Sequence, residues 1–192
     1  MLLTTSVIVD RDDIVKYCSL MSQSPTERFH LAPAPDGLQV VQNLLNTRAI
    51  DVYGLPDLIA DGEAASTTWE MPLSDDDATA LRTLRANVEA ALAGELPPIP
   101  VVSVELIPDT DGIVRLSPTG SGAQYIASEI WSEVLLAQKA DTWRRLKRCK
   151  NELCGSAFYD RSRNNSGVWH DVKTCGNVAN LRASRARKKA KD

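Results

Sequence analysis

The sequence predicts an α+β chain: a mostly α-helical N-terminal domain with one β-hairpin over residues 1–140, then a small treble-clef-like module over residues 141–192. Three observations carry that expectation. Cys149, Cys154, His170 and Cys175 form two short pairs of sulfur and nitrogen donors within 27 residues. Apolar residues recur at helical spacing through most of the first 140 positions and turn to a β-branched run only near residues 101–116. Charge reverses at Asp141: the first 140 residues hold 8 Lys+Arg against 20 Asp+Glu, and the remainder holds 14 against 5.

In chain order, residues 10–21 read as a short amphipathic helix with Ile14, Cys18 and Met21 on one face, where Cys18 is a small core residue. His30 falls in a turn-prone stretch, residues 29–37, and is read as structural. Residues 38–49 form a second helix on Leu38, Val41, Leu44 and Leu45, and residues 55–60 a short one with Pro56 near its first turn. Ser74 caps a longer helix carrying Leu81, Leu84, Val88 and Leu92. Asp75, Asp76 and Asp77 suit its dipole, and Gly94, Pro97 and Pro98 stop it. Residues 101–107 and 113–116 flank the turn sequence Asp109-Thr110-Asp111-Gly112 and make a hairpin. From Ser121 the stripe Ile126, Ile130, Val134, Ala137 returns to helix, widened by Trp131 and Leu135. With Trp143 and Leu146 it runs, broken near Asp141, into the first cysteine, joining body and module without a flexible linker.

A hydrophobic content of 43% suits a globular core, and 5% aromatic residues make that core aliphatic. No apolar run approaches the roughly 20 residues that cross a bilayer, and the first residues lack the pattern of a secretory signal. A cytoplasmic protein with no membrane partner is expected, and in that compartment clustered cysteines favour metal over disulfides. The body offers no glycine-rich phosphate loop, nucleophile elbow or His-Glu-x-x-His helix, so no enzymatic activity is expected.

Zinc accepts thiolates and imidazole in a tetrahedron, so Cys149, Cys154, His170 and Cys175 satisfy one structural ion per chain and leave no position for water. Asp171 or a water could replace His170, and the alternative for the cysteines is unrelated reduced thiols. Phe158, Tyr159, the turn at residues 163–167 and residues 168–170 suggest a hairpin between the pairs, and a helix follows Cys175. A knuckle, a hairpin and a helix compose a treble-clef-like zinc finger, whose residues after about Arg148 should lose order without metal. On the last helix Arg182, Arg185 and Lys189 recur at three and four residues, and Arg187, Lys188 and Lys191 extend the charge. Arg161 and Arg163 join from the hairpin, and Asn177, with Asn180 and Arg182, is a candidate reader of bases. DNA is the expected partner; the alternative is a zinc-stabilised protein-interaction module that docks on an acidic partner or on the acidic body.

These residues also carry a resemblance. Arg145-Leu-Lys-Arg-Cys149, Cys154-Gly155, the run Phe158 to Asn164, Trp169-His170 and Cys175-Gly176-Asn177 resemble the bacterial CGNR zinc finger. Leu44-Leu45-Asn46-Thr47, residues 55–69 and the hairpin are similar to the ABATE domain that commonly precedes it. The resemblance implies a stress-induced transcription regulator, with Cys149, Cys154, His170 and Cys175 as ligands, DNA binding by the finger, and a body that senses a small-molecule effector. Neither the effector, the DNA site nor the oligomeric state follows from it. Two positions depart from the pattern: Val178 stands where the name-giving arginine is expected, and His170 where cysteine is more usual. Histidine keeps coordination intact, whereas the missing arginine removes one phosphate or base contact, weakening DNA affinity or moving it toward Arg182 and Arg185.

Overall fold

A computed structural model describes residues 24–96, 98 and 101–189; the expected helix at 10–21, Cys18, Pro97 and Lys191 lie outside them. The described residues fold as α1 (Leu38–Leu45), α2 (Gly62–Trp69), α3 (Asp75–Leu92), β1 (Val104–Pro108), β2 (Val114–Pro118), α4 (Ala123–Lys139), β3 (Leu146–Arg148), β4 (Ala157–Tyr159) and α5 (Asn177–Lys189). The fold class is the expected one: helices, two small antiparallel hairpins, and a cysteine/histidine cluster at the C-terminal end.

Helical periodicity places the core where the sequence predicts it. Leu38, Val41, Leu44 and Leu45 from α1, Leu81, Leu84 and Val88 from α3, and Ile126, Ile130 and Val134 from α4 are all buried in one cluster. Leu135, expected to widen the α4 stripe, is instead 47% exposed, while Trp131 packs partly against the cluster. The cluster also takes Leu146 from β3 and Ala157 from β4, so the apolar core continues past residue 140 into the C-terminal module.

The acidic run at the start of α3 caps more than its own helix. Ser74 and Asp77 form a reciprocal capping box. Asp77 Oδ1 also accepts from the Ala123 N–H at 2.8 Å, and Asp75 Oδ1 accepts from the Gly62 N–H at 2.8 Å, so three helix starts share two carboxylates. Gly122 is required for this approach, because its φ is 54° and a Cβ there would sit 2.4 Å from the Asp77 carboxylate. These hydrogen bonds hold Asp77 below the usual carboxylate range. Replacing Ser74 with Ala is expected to cost about 1 kcal/mol of stability, measured as a lower midpoint in urea unfolding with an unchanged slope.

Four elements differ from expectation. α1 stops at Leu45, four residues early, because Thr47 Oγ1 takes the Leu44 carbonyl at 2.7 Å and Asn46 turns its side chain to β4. Residues 55–60 are not helical: Leu55 bridges back to Ile50, and Asp57 caps the Ile59 N–H and pairs with Arg85 at 2.7 Å. The helix starts instead at Gly62, where Asp61 accepts from the Ala64 N–H. α4 breaks near Asp141 as expected but does not resume as a helix up to the first cysteine. It ends at Lys139, Asp141 turns the chain at a φ of 57°, and a single 3-10 turn at Trp143–Arg145 leads into β3.

The finger's hairpin is the fourth. β4 pairs with β3, in register Arg148↔Ala157, and not with residues 168–170. Between residues 168–170 and the knuckle loop, the Lys150 N–H donates to the Val168 carbonyl at 3.0 Å. The first cysteine pair sits in the loop between β3 and β4, so the knuckle itself is the hairpin turn.

Candidate metal centre

The knuckle is built by backbone geometry on either side of the first cysteine pair. Cys149 follows β3, and its N–H donates to the Ser156 carbonyl at 2.9 Å. The Cys154 and Gly155 N–H groups both close on the Asn151 carbonyl, at 2.8 and 3.0 Å. Gly155 adopts a φ of 58°, and a side chain there would meet the Arg148 guanidinium at 3.0 Å. The second pair comes from the turn beyond: His170 precedes Asp171, whose carboxylate caps a one-turn π-helix, Val172–Gly176, that carries Cys175 into α5. A π-turn widens the helix entrance and directs Cys175 inward.

Cys149, Cys154, His170 and Cys175 present one ligand atom each, all within 4.8 Å of one another, and the three cysteines are buried. The Cys154 Sγ to His170 Nδ1 distance is 3.3 Å. A zinc–sulfur bond of about 2.3 Å gives a tetrahedron edge of roughly 3.8 Å, so the donor set fits one ion of that size. Asp171 stands outside the group, its carboxylate occupied by the Lys173 N–H and Thr174 Oγ1.

The electrostatics suit a dication. Hydrogen bonding between their sulfurs pushes the Cys149 thiol up and holds Cys154 down, and a metal binds the deprotonated form of both. The sulfurs also receive donors: backbone N–H groups of Asn151 and His170 toward Cys149, that of Ser156 toward Cys154, and Asn151 Nδ2 toward Cys175 at 3.2 Å. Ser156 Oγ lies 3.2 Å from Cys154 Sγ, and Trp169 packs against the cluster. The body contributes as well. Burial, followed by the Cys175 and Cys154 sulfurs, pushes the Tyr53 phenol up, and Tyr53 shares with His170 and Asp171 a groove of about 660 Å³.

That donor set, within a hairpin and ahead of a basic helix, agrees with what comparison finds. Residues 145–188 match the CGNR zinc finger family. No curated protein matches the chain. The CGNR zinc finger thus spans β3, the knuckle, β4, the π-turn and nearly all of α5, and its four donors are consistent with one zinc ion. Asn151 and Ser156 were not singled out from the sequence. The legible signal for them was their place two residues beyond each knuckle cysteine, where amides that bond thiolates fall.

A second centre holds the CGNR zinc finger's outer turn. Asp160, 4% exposed, receives Lys147 Nζ at 2.7 Å and the Gly167 and Ser162 N–H groups at 2.7 and 2.9 Å. Burial pushes this carboxyl up, but the ammonium and the two amides outweigh it and hold it well below the usual range. A depressed pKa stabilises the fold above the unfolded value, about 3.9. That contribution is lost as pH falls from there through the lower folded value. Lys147→Met strands the buried carboxylate and is expected to cost about 3 kcal/mol, read in thermal unfolding at pH 7.

The residues proposed to contact nucleic acid are distributed over two places. Arg182, Arg185 and Arg187 are exposed on α5, which also carries Lys188 and Lys189. Arg163 is exposed on the outer turn. Arg161 is turned to the body, donating to the Pro33 carbonyl at 2.6 Å and lying 5.5 Å from the Tyr159 ring centre. Asn177 uses its Nδ2 on the Lys173 carbonyl at 2.8 Å, which fixes the start of α5.

Proposed function

We propose that the chain binds double-stranded DNA through α5 of its zinc finger and serves as a transcription regulator, with the helical body as its regulatory part. The observation that carries this reading is the exposed cationic face of Arg182 and Arg185, one turn apart on α5, with Arg187 exposed farther around the helix, in a segment with 14 Lys+Arg against 5 Asp+Glu joined to an acidic body. Such a face neutralises phosphates and so gives affinity before sequence choice. The four protein donors complete a tetrahedron, so the centre is read as structural and the chain as a non-enzyme. No described helix is long and apolar enough to cross a membrane. Anisotropy titration against duplex DNA at several salt concentrations tests the proposal: affinity should fall steeply with salt, and its absence at low salt removes the reading.

A second reading has its own support. Val178 and Leu181, three residues apart on α5, are 39% and 57% exposed and make an apolar strip beside the arginines. That combination suits docking on an acidic protein. Pull-down with and without nuclease separates the two, because association bridged by DNA vanishes on digestion.

A further inference from the structure

Two buried amide side chains of the body are spent on one residue of the finger. Asn46 and Gln42 stand at 0% exposure at the end of α1. Asn46 Oδ1 accepts from the Ala157 N–H at 2.8 Å, and its Nδ2 donates to the Ala157 carbonyl at 2.9 Å. Gln42 Nε2 donates to the same carbonyl at 3.2 Å, while its Oε1 accepts from the Ala34 N–H at 2.6 Å. The alternation of β4 explains why Ala157 is free for this. Ser156 and Asp160 direct their backbone groups to Cys149 and Arg145, so Ala157, out of phase with them, faces the outer edge. Asn46 therefore stands in for a third strand.

The position matters more than the bonds. Ala157 is the third residue after Cys154, and its cross-strand partner Arg148 immediately precedes Cys149. The pair is the base from which both knuckle cysteines spring. From α3, Glu89 holds the other half of that base, bridging Arg148 at 3.3 Å and Arg48 at 3.4 Å. Leu146 and Ala157 lie in the same apolar cluster as α1, α3 and α4. The spacing of the two cysteines is thus fixed from outside the finger.

We infer that the body completes the metal centre: Asn46 is a positioning residue that fixes the base of the knuckle, so zinc affinity and the order of α1 are linked. Linkage is reciprocal, so loosening α1 weakens zinc and removing zinc loosens α1. Loss of metal then reaches beyond residue 148 into the body.

The test uses the full-length, zinc-loaded chain and competition with a chromophoric chelator, well below the unfolding midpoint. Asn46→Ala is expected to weaken zinc binding on the order of 10-fold, as removal of an outer-shell partner does. Ile126→Val, in the same core at the far end of α4, lowers the midpoint and leaves zinc affinity unchanged. Equal affinity in Asn46→Ala and wild type overturns the inference, and so does an equal loss in Ile126→Val. Should Asn46→Ala fail to fold, hydrogen exchange on the wild-type chain decides: α1 amides should exchange at least about 10-fold faster after chelation, and unchanged α1 protection overturns the linkage.

Discussion

Chelation of the metal unravels the residues after about Arg148: the α5 contribution to helical circular dichroism disappears, Trp169 fluorescence shifts to that of a hydrated indole, and trypsin cuts at the exposed arginines of α5. The size of this effect follows from how little besides the metal holds the ligand-bearing turns and α5 to the base formed by β3 and β4. β3 and β4 are three residues each, and the cluster of Cys149, Cys154 and Cys175 with Trp169 buries little apolar area. A two-stranded hairpin of that length is marginal by itself. Structural zinc in comparable small modules contributes on the order of 10–16 kcal/mol of apparent binding free energy. Cys175→Ser should reproduce most of the loss, because Cys175 is the ligand that ties α5 to the knuckle. A tail that keeps its helix and its protease resistance after metal removal would falsify the reading of this site as structural.

The second large effect is on DNA. Replacing Arg182, Arg185 and Arg187 together with Ala is expected to flatten the salt dependence of duplex affinity by about 2.7, since each phosphate contact contributes about 0.9 to the slope. The loss should be similar for unrelated sequences, because phosphate contacts do not select bases. Val178→Arg should act the other way. Val178 is 39% exposed near the start of α5 and four residues before Arg182, so an arginine fits there and adds a cation to the same helix face. A triple variant with an unchanged slope, or a Val178→Arg variant with unchanged affinity at low salt, speaks for the protein-docking reading.

Much of this molecule was legible in its residues, and the exceptions share a cause. The ligand set was readable because metal coordination fixes residue type and spacing together. The hairpin of β1 and β2 was readable because Asp109 and Gly112 encode the turn: Asp109 Oδ1 accepts from the Asp111 and Ile113 N–H groups at 3.0 and 2.9 Å. α3 announced itself through Ser74 and Asp77. The finger's strand pair did not, because Leu146 continues the apolar stripe of α4 and three residues carry no period of their own. Its pairing is imposed by the knuckle. The early end of α1 was hidden for a related reason, since Asn46 finds its partner 111 residues away. Residues 55–60 look helical by composition, but Asp57 is drawn to Arg85 and Asp61 is the better cap. Local signals failed wherever a distant polar partner decided the conformation.

The most direct measurement of the central claim is X-ray absorption at the zinc edge on protein purified with metal present and its thiols reduced, with zinc quantified per chain. The account predicts one zinc per chain, with three sulfur neighbours near about 2.3 Å and one nitrogen near about 2.0 Å. Zinc well below one per chain, or a shell of oxygen with fewer than three sulfurs, would contradict it.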